Sequence, residues 1–463
     1  MTTFPITPSF RRVDQGTAMT MSRVLISIFA PMILSAAANA GSDLDPLWNP
    51  PGGYTVTHVG TGDAIVNAVA MDSLGRMVVA GYSTPSAGGN AQFSLVRYHG
   101  DDFPTSIGYE DLTFNSTGIA YVAVGIGNTN GYAVQIGTND SIVVAGDCTT
   151  PMMPQNHTFC LARFTSGGAI DTSFGTSGKL ITRVGPDDAF AKAMTKDAAG
   201  NFLVAGYSSS YLTGNPVFTV VRYSPSGVAD STFGFAGYAG VAETSGGTAQ
   251  AAAITMDGNG AIVVAGSIAS LAYPSGAFAV TRLLASGAPD PSFNSGNIAV
   301  VGFANGGAAN AVAVDASNRP ILAGFALPTG ATSSLMTLAR FTSAGALDTS
   351  FGSGGVASPP LSGCTEASAS GIKLDALGRA FVSGTCKNTQ NVLVLAHYNA
   401  NGTLDTAFAP NGYETEVFGN YASASALVLD GKGRPVVVGQ RIASGVSEFV
   451  INRHDYIFSH GFE

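Results

Sequence analysis

Short apolar runs with strict alternation recur from about residue 45 onward, each ended by a cluster of Gly, Asp, Asn or Ser. In the clearest stretch, Lys179 to Val184 reads as a first strand and, after a loop rich in Gly, Pro and Asp, Ala189 to Lys196 reads as a second. Asp197-Ala198-Ala199-Gly200 then turns the chain into Phe202-Leu203-Val204-Ala205-Gly206, a hairpin signature. A longer loop leads to Phe218 to Tyr223, where Phe218, Val220 and Arg222 fall on one face and Val221 with Tyr223 on the other. Period two defines a strand.

The same plan returns seven times. A Val-Ala-Gly-like triplet closes the third strand at Gly81, Gly146, Gly206, Gly266, Gly324, Gly384 and Gly439, spaced by 65, 60, 60, 58, 60 and 55 residues. The turn before it recurs as Asp72 to Gly75, Asp257 to Gly260, Asp375 to Gly378 and Asp430 to Gly433; Asp315 to Asn318 ends in the other residue that tolerates positive φ. The second copy departs, with Gly137 to Asp140 at that place. The fourth strand returns as Phe93 to Tyr98, Phe159 to Phe164, Phe278 to Leu283, Met336 to Phe341, Leu393 to Tyr398 and Phe449 to His454. Such a period marks a repeat architecture. Four strands per copy predict about 28 strands. Hairpin-linked sheets that are apolar on both faces are best buried by radial packing, so the predicted fold is all-β, a seven-bladed β-propeller of four-stranded antiparallel blades. Small Ala and Gly are expected to let neighbouring blades approach closely. An open β-solenoid is the alternative, although its coils are usually far shorter.

These repeats resemble the delta-60 repeat family of exported and surface bacterial proteins. The resemblance rests on Leu347-Asp348-Thr349-Ser350-Phe351-Gly352-Ser353-Gly354-Gly355, the Val-Ala-Gly ending, and Phe-x-x-x-Arg-Tyr as at Phe218 to Tyr223. It spans residues 45–454. Two copies depart from the pattern: Trp48-Asn49 stands for Phe-Gly after Asp45, and Phe114 after Asp111 lacks the following Gly. The resemblance implies a propeller-like fold and supplies no enzymatic activity, ligand or functional residue.

Composition narrows the class. Charged residues make up 11% of the chain and apolar ones 45%, while the 59 glycines lie well above the roughly 7% usual in proteins. A net charge of −9 without clustered Lys and Arg disfavours nucleic acid as a partner. Arg11, Arg12 and Arg23 precede an apolar run from Val24 to Leu34 and a small-residue Ala38-Asn39-Ala40 site, so residues 1–40 are expected to be a signal peptide removed before Gly41. That run is too short to span a bilayer. The expected layout is therefore the signal, a seven-repeat propeller over residues 45–454 and a tail over 455–463, exported to the periplasm, the medium or the cell surface. Asp455 and Phe458 repeat the Asp-x-x-Phe spacing and are expected to begin a linker that closes the ring.

Four cysteines suit an oxidising compartment. Cys148 and Cys160 flank one hairpin, Cys386 repeats the position of Cys148, and Cys364 precedes the neighbouring strand, so the expected pairs are Cys148–Cys160 and Cys364–Cys386. No Cys-x-x-Cys spacing supports zinc.

The recurrent Arg at 97, 163, 222, 282, 340 and 453 suggests either a basic ring around a channel or a structural ladder. The ladder is preferred: Arg163, Arg222, Arg282 and Arg340 each precede an Asp in the same copy, at Asp171, Asp230, Asp290 and Asp348, and an Arg fork binds such a carboxylate well. Asp63, Asp187, Asp188 and Glu366 lack the ligand series of a calcium loop and are read as solvated charge. The six histidines show no triad or metal spacing. No catalytic, cofactor or metal residue is assigned. The expectation is a monomeric, cofactor-free, non-catalytic exported scaffold that binds a protein or glycan, without a transmembrane segment. Its binding face would be the end carrying the irregular loops Ser83 to Gln92, Cys148 to Thr158, Ser208 to Pro216 and Ile268 to Ala277. The alternatives are a propeller hydrolase or lyase acting on polysaccharide or a small ester, and a surface adhesin.

Overall fold

The computed structural model describes residues 44–455, apart from residues 87, 102 and 151–156. Within them, 28 strands form seven four-stranded antiparallel sheets. Each inner strand packs on that of the next sheet, and the seventh packs on the first, so the sheets close into a ring. The chain is a seven-bladed β-propeller, and the open solenoid is ruled out.

The blade is offset by one strand from the sequence repeat. The third blade consists of Ala189–Lys196, Phe202–Ser209, Pro216–Tyr223 and Tyr238–Val241, and its outermost strand already belongs to the following repeat. The offset leaves the seventh blade one strand short. Tyr54–Thr57, from the start of the chain, fills that place by pairing with Val446–Arg453. Leu44 bridges to His454, and the Asp45 amide donates to the Arg453 carbonyl. The ring therefore closes through its N-terminal segment; the linker expected to begin at Asp455 and Phe458 lies, beyond Asp455, outside the described residues.

Buried side chains form seven clusters, one at each blade interface. Between the third and fourth blades, Leu203, Phe218 and Val220 meet Ala249, Ile254 and Val264. Every inner strand carries one bulge, which places Asn67, Tyr132, Lys192, Ala252, Asn310, Ser370 and Ser425 at a common level. The triplet glycine is explained two residues before the bulge, where the inner strand's carbonyl folds over the second strand. A Cβ on Gly206 would lie 1.8 Å from the Phe190 oxygen. Close approach at the triplet glycines thus lies inside each blade, while Gly131, whose Cβ would lie 2.5 Å from the Gly81 oxygen, lets the second blade crowd the first.

One clamp ties each blade to the next. Arg163 Nε donates to Asp171 Oδ2 at 2.8 Å, Arg222 to Asp230 at 2.9 Å, Arg282 to Asp290 at 2.7 Å and Arg340 to Asp348 at 2.8 Å. The Nη1 atoms cross to carbonyls of the following blade, at Pro225, Ala285, Ser343 and Ala400, over 2.5 to 2.8 Å. Beneath each guanidinium lies the aromatic ring of the Asp-x-x-Phe linker, 4.7 to 5.1 Å from centroid to Cζ for Phe174, Phe233, Phe293 and Phe351. Gly227, at φ +84°, lies against Phe174, where a Cβ would come within 2.7 Å of the ring. The departing copies obey the same rule: Arg97 holds Asp111 over Phe114, and Arg453 holds Asp45 over Trp48.

The sixth blade substitutes His397, whose Nδ1 lies 3.0 Å from Asp405 Oδ2 while the ring stacks on Phe381 at 4.2 Å. Burial and then the charge of Arg379 push its pKa down to about 4, against the pull of Asp405. The imidazole is therefore neutral in the fold at pH 7 but protonates near 6.5 once unfolded. Stability should be complete above pH 6.5 and fall by up to about 3 kcal/mol as pH drops toward 4. Chemical denaturation across this range should reveal that loss, and His397→Arg, which restores the residue of the other six blades, should flatten it.

Candidate functional site at the channel mouth

The inner strands enclose a channel with a cavity of about 650 Å³. Its lining includes Lys192, Lys373, Tyr132 and Tyr207 but no Asp or Glu among the described residues. The basic ring considered for the arginines is thus absent from the axis; the clamp holds them, and the channel's cations are two lysines that the sequence reading overlooked.

The bulge level is partly tied shut from blade to blade. Asn67 Nδ2 donates to the Gly131 carbonyl at 2.7 Å, Asn310 to Ala369 at 2.8 Å and Ser370 Oγ to Ala424 at 2.7 Å. A bulge frees one carbonyl from its ladder, and the side chain of the preceding blade's bulge satisfies it. Tyr132 and Lys192 occupy the same position without making that bond. Lys192 Nζ instead lies 3.7 Å from the Tyr132 ring centroid and 5.6 Å from that of Phe190.

Behind them, toward the irregular-loop end, Asp147 is 1% exposed. Its Oδ2 accepts from Asn130 Nδ2 at 3.2 Å and faces His157 Nδ1 at 3.0 Å. His157 stacks on Phe190 at 5.2 Å, and Phe190 meets Tyr207 at 5.1 Å. The Tyr82 ring meets Tyr132 edge-on at 6.2 Å. Burial and then the Asp147 charge raise the pKa of Tyr82, Tyr132 and Tyr207, so all three stay protonated at neutral pH. Burial lowers the pKa of Lys192, and Asp147 opposes that shift. Lys373, exposed to the channel yet enclosed by its wall, is lowered by burial alone.

Register explains where the cluster comes from. Tyr82, Asp147 and Tyr207 each follow the triplet glycine, the position held by Ser267, Phe325, Thr385 and Gln440 in other copies. Tyr132 and Lys192 are bulge residues. Stacking the seven copies on the bulge would have exposed the second and third blades at the bulge, and the second at the residue after the glycine, as places where the chemistry departs from the other copies.

Both disulfides lie at this end, joining Cys148 to Cys160 and Cys364 to Cys386. Cys148 directly follows Asp147, so the first bridge braces the hairpin that carries the buried carboxylate. Among the loop acids Asp63, Asp187 and Glu366 are exposed, as expected of solvated charge, and contacts from the loop acids also link segments. Asp188 Oδ1 accepts the His157 amide at 2.9 Å, Asp63 Oδ1 accepts that of Ser447 at 3.3 Å, and Glu366 pairs with Lys387 at 2.9 Å. Elsewhere, Glu414, Glu416 and His454 bring three ligand atoms within 4.8 Å of one another. There His454 is buried between Glu414 and Asn452, with Nδ1 and Nε2 each facing one of them, which suits a structural role.

Residues 75–103, 200–233, 258–293 and 377–408 match the family model described as "Domain of unknown function (DUF5122) beta-propeller". These are propeller-family repeats. No curated protein sequence matches the chain. Among solved structures, polysaccharide lyase Uly1 is similar at 10% identity and a TM-score of 0.48, covering 86% of this chain and 92% of that one. Sqt1 from Chaetomium thermophilum is similar at 11% identity and a TM-score of 0.41, with coverage of 85% and 97%. The propeller domain of the Trilobed protease from Pyrococcus furiosus is similar at 8% identity and a TM-score of 0.41, with coverage of 86% and 95%. At this level of likeness nothing about function passes from them to this chain.

The opposed influences on Lys192 give a signed expectation. If Asp147 is what keeps the ammonium charged, Asp147→Asn should move the Lys192 pKa further down, while Lys373 stays where it is. NMR titration of 13C-dimethylated lysines in the two proteins checks this directly.

Proposed function

We propose that this protein is an exported, non-catalytic propeller scaffold that binds a cell-surface glycan or protein through its irregular-loop end. The observation that carries the reading is the difference between the two ends of the ring. One end is built from repeated Asp turns and clamp linkers of near-uniform length, whose aspartates and arginines are engaged in the fold although Phe235 and Leu377 there are also exposed. The other gathers both disulfides, the Asp147–Lys192 cluster and loops of unequal length. On that end Leu212 and Leu271 are 95% and 98% exposed, and Tyr211 is 68% exposed, at the tips of adjacent loops. Apolar side chains held in solvent beside a polar cavity mark a contact surface.

Export is supported by the two disulfides and by the expected signal in residues 1–40, removed before Gly41. Among the described residues no helix is long and apolar enough to cross a membrane. The order of the Asp-x-Ser-Phe-Gly, Val-Ala-Gly and Phe-x-x-x-Arg-Tyr motifs supports the delta-60 reading of the repeats.

A second reading is catalytic. Lys192, its pKa lowered by burial beside Tyr132, is the kind of group that removes a proton from carbon in a lyase. A lyase would release unsaturated ends absorbing in the ultraviolet from a polysaccharide, and a scaffold would not.

Replacing the loops within Ser83 to Gln92 and Ser208 to Pro216 by neutral Gly-Ser segments should abolish retention on bacterial envelope material. Changing Gly258 and Asn259, in a turn at the opposite end, should leave it intact. Co-sedimentation with envelope fractions measures both, and unchanged retention after the loop grafts would remove the proposal.

A further inference from the structure

We infer that the irregular-loop half of the central channel is a binding site for an acidic saccharide, with Lys192 as the anchor for its carboxylate and Tyr132 and Tyr207 as the faces against which its rings stack. This deepens the scaffold reading and rests on it.

The charge of the cavity comes first. The whole chain carries −9, yet the described lining of the channel holds two lysines and no carboxylate. Among the described residues Lys192 Nζ makes no hydrogen bond or ion pair; its contacts are the ring faces of Tyr132 and Phe190. An ammonium has three donors, and one held against aromatic faces retains donors for an acceptor arriving along the axis. Asp147 does not fill that role: its Oδ2 faces Asn130 and His157, its buried Oδ1 has no hydrogen-bond partner among the described residues, it forms no ion pair with Lys192, and the residue is 1% exposed. Its charge instead favours the protonated amine. Lys373, three blades round the ring, adds a second cation on the same axis.

Shape and polarity select the rest of the ligand. A cavity of about 650 Å³ falls within the roughly 300–1,000 Å³ of small-molecule sites. The wall offers two tyrosine rings for the apolar faces of pyranoses and, at Gln250, Ser267 and Ser425, amide and hydroxyl groups that exchange hydrogen bonds with sugar hydroxyls. The rows of Ala and Gly on the inner strands keep the bore open. Phe190, His157 and Asn130 fix the cluster from behind, so the site is formed before a ligand enters.

The test is calorimetric titration of the whole protein lacking residues 1–40 with tetragalacturonate, and with the same tetrasaccharide after methyl esterification. The acid should bind, the ester should bind at least about tenfold more weakly, and Lys192→Gln should cost the acid a similar factor while leaving the melting temperature unchanged. Tyr207→Ala should weaken both ligands, which separates stacking from charge. Equal binding of acid and ester, indifference to Lys192→Gln, or no binding of tetragalacturonate would each overturn the inference. If envelope retention still depends on the grafted loops in that case, the scaffold reading survives; if retention also ignores the loops, both fall.

Discussion

The ring stands on one repeated interaction: an arginine that holds a carboxylate of its own blade with Nε and a carbonyl of the next blade with Nη1. The carboxylate is itself fixed, since Asp230 Oδ1 accepts the Thr232 amide at 2.9 Å and its hydroxyl at 2.6 Å. Those hydroxyl and guanidinium bonds hold the Asp230 pKa down to about 2. One aspartate thus starts the linker, orients the arginine and sets the spacing to the following blade. The apolar interfaces supply most of the burial, and packing of this kind is non-directional. The clamp supplies direction.

At the seam the same device works under a harder constraint, because the partners come from the two ends of the described chain. Arg453 and Asp45 are each 1% exposed and meet at 2.8 Å. Where other blades present a carbonyl to Nη1, the first blade presents the side chain of Asp101, 2.6 Å away. Asp101 also faces Arg434 and Lys432. Although burial works against its charge, Lys432 and Arg453 hold its pKa down to about 2. Closure is therefore ionic as well as β-paired.

Most of this was legible in the chain because period-two strands and fixed turns leave few architectures open. The Arg-to-Asp spacing of Arg222 and Asp230 is that of the repeat's fourth strand and the linker after it, so the ladder follows from the repeat itself. Strand partnership was not legible. A repeat has no marked beginning, and whether Tyr238–Val241 pairs with the strand before or after it is decided by packing around the ring. The copy at Asp45 and Trp48 departs from the repeat pattern in sequence, yet it forms the clamp of the seventh blade. The crowding of Gly206 by the Phe190 carbonyl was not legible either, because a carbonyl two residues from a bulge leaves no trace in composition. Lys192 and Asp147 stayed hidden because each is unlike its counterparts in other copies, and averaging over repeats removes such differences.

Structure and proposed function meet in that contrast. Positions shared by seven copies build the wheel, and positions that differ among them, Tyr82, Tyr132, Asp147, Lys192 and Tyr207, collect at one mouth of its channel. The central claim is that buried clamps, and the seam clamp above all, hold the ring shut. A double-mutant cycle with Arg453→Met and Asp45→Asn, read by chemical denaturation, tests it most directly. Each single change should cost about 3 kcal/mol, because it breaks a buried ion pair even though Arg434 stays beside Asp45 and Asp101 beside Arg453, and the pair together should cost at least about 2 kcal/mol less than the sum. Additive losses, or single losses near zero, would contradict the account.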